Sequence, residues 1–215
     1  MDKTKILEII NTLPMALVGT LATDSREKIN LRDSCINMMQ DVMEIVKPKE
    51  MLELGCHVCH SSALLLYYSK ANLTSCDISH TWVTWEHGYI DWGVPGGSGL
   101  KRAKEVIDYY FPNRFRFIIG DSTAPSVIKK YGDRHYDLVF IDASHDYDDF
   151  LIDFNTALKL NVRFILVDDY NLRDGRNDAR IAVTEDLGFK PLRIYTDIHN
   201  KADIGCALFE NHNYK

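Results

Sequence analysis

No stretch of the 215 residues approaches the roughly 18–20 consecutive apolar residues that cross a bilayer. The apolar run at residues 6–10 is interrupted by Glu8 and is too short for a secretory signal. A cytoplasmic protein with no membrane partner is therefore expected. Basic charge is also scarce: 25 Lys and Arg stand against 31 Asp and Glu, a net charge of −6. A duplex nucleic-acid footprint needs Lys and Arg concentrated on one face, so no duplex partner is expected. The five cysteines, Cys35, Cys56, Cys59, Cys76 and Cys206, are odd in number and sit mostly in apolar runs. They read as reduced thiols and exclude a disulfide framework. Internal repeats and low-complexity tracts are absent.

What is present is a globular balance, 46% hydrophobic and 26% charged, which argues against disorder. The length suits one α/β domain over residues 1–215. Residues 1–48 read as an N-terminal helical cap, with helical spacing of Met38, Met39, Val42, Ile45 and Val46 over residues 29–46 and a stop at Pro48. Short apolar strands are expected at residues 51–54, 73–76, 115–119, 138–141 and 164–167. Helices are expected at residues 61–69, 100–110, 147–160 and 178–187. This alternation marks a parallel sheet with helices on both faces. Residues 192–195 and 204–209 read as an antiparallel pair closing the sheet. An insertion loop at residues 80–99 carries Trp82, Trp85, His87, Tyr89 and Trp92. Its aromatics suit ligand stacking, a small local core or a subunit contact in a homo-oligomer.

Asp77, Asp121, Asp142, Asp168 and Asp169 each stand directly after the apolar part of an expected strand. In an open parallel sheet these ends lie along one edge, where ligands bind. One Asp there is often only a helix cap. Five along one edge repel one another and call for a cation or polar ligand groups.

Glu53-Leu54-Gly55-Cys56-His57-Val58-Cys59-His60-Ser61 follows the first strand and opens a helix. Amide N–H groups at a helix start suit a carboxylate, and a small-residue turn lets the backbone approach it. The order of acid, apolar residue, Gly and turn resembles the first motif of the class I S-adenosylmethionine-dependent methyltransferases. The resemblance implies a Rossmann-like α/β fold: a mostly parallel seven-stranded sheet, helices on both faces and a C-terminal antiparallel strand. It implies S-adenosylmethionine as cofactor, with Glu53, Gly55, His57, Cys59, Ser61 and Asp142 among its contacts. Asp77 resembles the acid that accepts from both ribose hydroxyls, for which a carboxylate offers two oxygens. Asp121 and Ser122 resemble the segment flanking the adenine, with Asp121 accepting from its exocyclic amine. This turn departs from the pattern, because His57 and Cys59 stand where further glycines are common. Cys56 and Cys59, with His57 and His60, also invite a metal or redox reading. A structural zinc site needs four ligands, and no second Cys pair follows at suitable spacing, so packing beneath the turn accounts for the pair.

Farther on, Tyr136-Asp137-Leu138-Val139-Phe140-Ile141-Asp142-Ala143-Ser144-His145-Asp146-Tyr147 leads through Asp153 to Phe164-Ile165-Leu166-Val167-Asp168-Asp169-Tyr170. This stretch resembles a methyltransferase family 24-like branch that holds macrocin-type sugar O-methyltransferases and cephalosporin hydroxylase relatives. Metal-dependent catechol-type O-methyltransferases share its layout. The resemblance implies that Asp142, Asp168 and Asp169 hold a divalent cation. An all-carboxylate site suits Mg²⁺ or Mn²⁺. His145, three residues after Asp142, is the candidate base, and Asp142 joins it as a catalytic residue. Asp146, Asp148 and Asp149 suit the N-terminus of the next helix through its dipole, and Tyr147 reads as packing. The segment Asn171 to Arg180, with Arg173 and Arg176, either closes over the acceptor, holds an acidic group or is a solvated loop.

The expected function is Mg²⁺-assisted O-methylation of a small hydroxylated acceptor, a sugar or sugar-bearing metabolite. The alternatives are a non-catalytic binding module with an eroded cofactor turn, or another reaction on the same scaffold.

Overall fold

The structure is a computed structural model. It describes residues 3–13, 22–23, 30–31, 33–57, 59–78, 98–170, 178–196, 198–199, 202–203 and 205–214. Seven strands form one sheet: β1 (Glu50–Leu54), β2 (Asn72–Asp77), β3 (Phe115–Ile119), β4 (Leu138–Ile141), β5 (Phe164–Val167), β6 (Arg193–Ile194) and β7 (Ala207–Glu210). Their order across the sheet is β3-β2-β1-β4-β5-β7-β6. β1 to β5 pair in parallel, and β7 is antiparallel to both neighbours. Two-residue antiparallel ladders join Ala22–Thr23 to Asn30–Leu31 and Ile198–His199 to Ala202–Asp203.

Seven helices accompany the sheet among the described residues: α1 (Lys3–Thr12), α2 (Asp33–Val46), α3 (His60–Tyr68), α4 (Ser98–Tyr110), α5 (Pro125–Tyr131), α6 (Tyr147–Lys159) and α7 (Asp178–Asp186). Strand side chains alternate between the two faces. Met51, Leu73, Phe140 and Leu166 join α1 to α4 in one apolar cluster. Leu52, Leu54, Val139, Ile141, Ile165 and Val167 join α5 to α7 in the other. Phe154 of α6 anchors the second cluster, with Phe209 at 5.8 Å and Phe189 at 5.3 Å between ring centroids, both edge-on.

The expected strands appear within a residue or two at each end, except that the last begins at Ala207, three residues after the expected start at residue 204. The helix expected from residue 29 starts instead at Asp33, because Asn30–Leu31 is held in the ladder with Ala22–Thr23. α5 has no counterpart among the expected elements. Its start is set by Pro125 in the first helical turn, and Val127 and Tyr131 bury its inner side. No described helix is long and apolar enough to cross a membrane.

The chain runs outward from β1 to β3, returns, and continues from β4 to β5 on the other side. The strand order therefore reverses between β1 and β4, and a crevice opens beyond their carboxyl ends. Gly55 leaves β1 there with φ +82°, a left-handed conformation. A Cβ on Gly55 would stand 2.2 Å from the main-chain oxygen of Asp142. Only glycine meets both demands. Gly55→Ala is expected to cost at least about 2 kcal/mol, from strain and the displaced β4 end. Thermal unfolding checks this, and an unchanged Tm would contradict the contact.

Candidate active site

The turn after β1 keeps left-handed backbone without further glycines. His57 has φ +47° and Cys59 has φ +67°. Such conformations cost a non-glycine residue roughly 1–2 kcal/mol each. Asp77, at the end of β2, offsets this by accepting from Cys56 N at 2.9 Å and His57 N at 2.8 Å through Oδ2. Cys59 N closes the turn onto the Cys56 carbonyl at 2.6 Å. Cys59 caps α3 without a side-chain hydrogen bond, and burial holds the His57 imidazole below its ordinary pKa, against the opposing pull of Asp77. Cys56 and Cys59 are buried with their sulfurs 3.9 Å apart. Among the described residues, neither belongs to a cluster able to hold a metal.

Glu53 lies beneath this turn, fully buried. Ser62 and Ser75 each donate to its Oε2 at 2.5 Å. Burial pushes its carboxyl up to about 7, with the Ser61, Ser62 and Ser75 hydroxyls opposing. After β3, Asp121 is exposed and its Oδ1 accepts from Thr123 N at 2.9 Å and Thr123 Oγ1 at 2.7 Å. Ser122 is buried and donates to Asp153 Oδ2 at 3.0 Å. The Tyr131 hydroxyl donates to the Ser122 carbonyl at 3.0 Å. Asp153 is an acid inside the apolar stripe of α6, and burial pushes it up to about 7.

At the ends of β4 and β5, Asp142, Asp168 and Asp169 each offer a carboxylate oxygen within 4.8 Å of the others. The oxygens of an octahedral Mg²⁺ site lie within about 4.2 Å of one another, twice the 2.0–2.1 Å bond length. A small inward shift of side chains satisfies that, so the three residues fit such an ion. Burial, then repulsion from Asp168 and Asp169, pushes Asp142 well above the usual carboxylate range, and Arg180 opposes. Cys206 donates to Asp168 Oδ1 at 2.6 Å. His145 is half-buried in the turn after Asp142, with Nε2 3.9 Å from Asp169 Oδ2. Asp148 and Asp149 stand in the first turn of α6. Tyr147 does not pack as expected: it is exposed, and its hydroxyl donates to Asp186 at 2.6 Å.

The strand ends therefore bring the five edge acids to one side of the sheet, in two groups flanking the Gly55 turn. Asp153 and Arg180 were not among the sequence candidates. Each had a signal: a charged residue on a helical face otherwise marked by Phe150, Phe154 and Ala157, or by Val183 and Thr184. The Trp82, Trp85 and Trp92 insertion, Arg173 and Arg176 lie outside the described residues.

Residues 52–170 match the protein family described as "Methyltransferase domain". Among solved structures, an O-methyltransferase from Bacillus cereus in complex with SAH is similar at 15% identity and TM-score 0.63, over 98% of this chain and 92% of that one. TomG from Streptomyces achromogenes, an O-methyltransferase of tomaymycin synthesis in complex with SAM, is similar at 16% identity and TM-score 0.62, over 98% and 90%. A SAH-bound methyltransferase from Podospora anserina matches at 18% identity and TM-score 0.54, over 82% and 77%. At these identities the likeness is one of fold. No curated protein sequence matches the chain significantly.

The raised pKa of Asp153 has a measurable consequence. Its proton is held near 7 in the folded chain and near about 3.9 in the unfolded chain. The stability it contributes is complete below about pH 4 and is lost as pH rises through 7. Asp153→Asn is permanently neutral, so its urea stability is expected to fall less than that of the parent between about pH 5 and pH 8. Parallel curves for the two proteins would refute this.

Proposed function

Since the chain belongs to the methyltransferase-domain family and has the fold of class I S-adenosylmethionine-dependent O-methyltransferases, we propose that residues 1–215 act as one domain that methylates a hydroxyl of a small acceptor with help from a divalent cation. A sugar or sugar-bearing metabolite is the acceptor class we favour. The observation that carries the reading is the contact between the Gly55 turn and the Asp142 carbonyl, which sets the cofactor turn against the carboxylate cluster.

S-adenosylmethionine supplies an electrophilic methyl group. The turn from Gly55 through His57 and Cys59 to Ser61, supported by Glu53, receives its methionine part at the start of α3. Asp77 accepts from the ribose hydroxyls. Asp121 and Ser122 flank the adenine, and Asp142 closes the pocket toward the acceptor. Asp142, Asp168 and Asp169 would hold Mg²⁺ or Mn²⁺, which would supply Lewis-acid activation of an acceptor hydroxyl. His145 would take the proton of the acceptor hydroxyl, and the bound cofactor would supply the methyl group that this oxygen receives and leave as S-adenosylhomocysteine. The chain's main contribution is alignment. The non-glycine turn does not favour the binding-module alternative, because His57 and Cys59 keep left-handed backbone.

Calorimetric titration with S-adenosylmethionine and S-adenosylhomocysteine should show binding of both at micromolar level, with a separate heat for Mg²⁺ that chelator removes. Absence of both cofactor heats in a folded sample would overturn the reading. Asp142→Ala should abolish metal-dependent turnover with the fold intact, and His145→Ala should lower kcat on the order of 10²–10⁴-fold. Full activity in Asp142→Ala would remove the metal from the mechanism.

A further inference from the structure

Arg180, in the first turn of α7, is fully buried. A buried guanidinium is costly unless its surroundings repay the lost hydration. One of its terminal nitrogens donates to the Asp168 carbonyl, and the other reaches the Ala143 carbonyl at 3.4 Å. Its Cζ lies 5.7 Å from the Phe150 ring centroid, within cation–π range. Among the described residues, none of its hydrogen bonds and no ion pair goes to a carboxylate oxygen.

That last point is unusual for an arginine beside three aspartates. An ordinary ion pair would occupy the oxygens that a cation needs. Here two of the donors go to main-chain carbonyls, Nε is buried with no hydrogen-bond partner among the described residues, and the guanidinium leaves the carboxylate oxygens uncovered. Cation binding requires all three carboxylates to be ionised, and in that state they carry three negative charges, of which Arg180 offsets one. Two remain, the charge of a single divalent ion.

The two carbonyls are also informative. The Asp168 carbonyl belongs to the peptide that joins Asp168 to Asp169, and Asp169 is held at φ +50°. The Ala143 carbonyl belongs to the turn that follows Asp142 and leads to His145. The guanidinium fork thus spans the ends of β4 and β5 at the backbone that carries all three carboxylates.

We propose that Arg180 is a positioning residue that sets both the span and the net charge of the carboxylate cluster, so that it selects one divalent cation. This rests on the metal reading above. Two substitutions separate the two effects. Arg180→Lys keeps the charge and loses the fork, and Arg180→Gln keeps a hydrogen-bonding end and loses the charge.

The experiment is binding of Mn²⁺ and of Tb³⁺ to the full chain, without cofactor or acceptor, with thermal unfolding recorded for each variant. The parent should bind one Mn²⁺. Arg180→Lys should weaken Mn²⁺ about 10- to 100-fold, as losses behind metal ligands do, with the preference between the two ions unchanged. Arg180→Gln should shift that preference toward Tb³⁺ by about tenfold or more, because the uncompensated cluster now matches a trivalent ion. A purely structural role would weaken both ions in proportion. Parent-like preference in a folded Arg180→Gln protein overturns the charge role. If that variant does not fold, parent-like Mn²⁺ affinity in Arg180→Lys overturns the positioning role. A parent protein that binds neither ion overturns the metal reading itself, a result distinct from the other two.

Discussion

Three carboxylates whose oxygens lie within 4.8 Å of one another repel, and the arrangement of the carboxyl edge answers that repulsion. Asp142 responds by holding its proton more tightly. Asp168 is steadied by the Cys206 thiol. Asp169 sits in a left-handed conformation that directs it differently from its neighbour. The buried guanidinium of Arg180 bridges the backbone beneath them. A cluster that is unfavourable alone is thus held by contacts from α7, from the approach to β7 and from the turn after β4. Like charges kept together at such expense are ready to accept an opposite charge.

On the reading proposed above, the same edge would also bring two reactants together. The reversal of strand order between β1 and β4 leaves a crevice, and the Gly55 turn meets the Asp142 carbonyl inside it. A methyl group presented at the first and a hydroxyl held at the second would meet with little freedom left to either. Asp77 serves this arrangement indirectly, since its carboxylate pins two amides of a turn that lacks the usual glycines. Asp77 on the neighbouring strand offsets the cost of left-handed His57, and the Cys59 amide bonds back to the Cys56 carbonyl within the turn.

Much of this was legible in the residues. Strands buried on both faces read as unbroken apolar runs, which is why β4 and β5 were bounded correctly. The edge acids follow those runs directly, so their placement came with the strands. Less legible were features decided by tertiary contact. α5 is only seven residues long, and Pro125 and the pair Lys129 and Lys130 were its only local marks. Asn30 and Leu31 fit a helical pattern but were taken by a ladder with Ala22 and Thr23. Asp153 and Arg180 are charged residues on buried faces, and nothing in their spacing says which partner offsets the burial.

The position of β7 carries one more implication, for the order of assembly. β7 follows β6 in the chain yet lies between β5 and β6 in the sheet. During synthesis β5 emerges well before its antiparallel partner, and its flank waits unpaired until Ala207–Glu210 arrives. Cys206 enters with that strand and brings the thiol that steadies Asp168. The nascent chain can thus lay down the Gly55 turn early, while the carboxylate cluster reaches its final form only when the sheet closes. A half-made chain would hold the Gly55 turn without the finished carboxylate cluster.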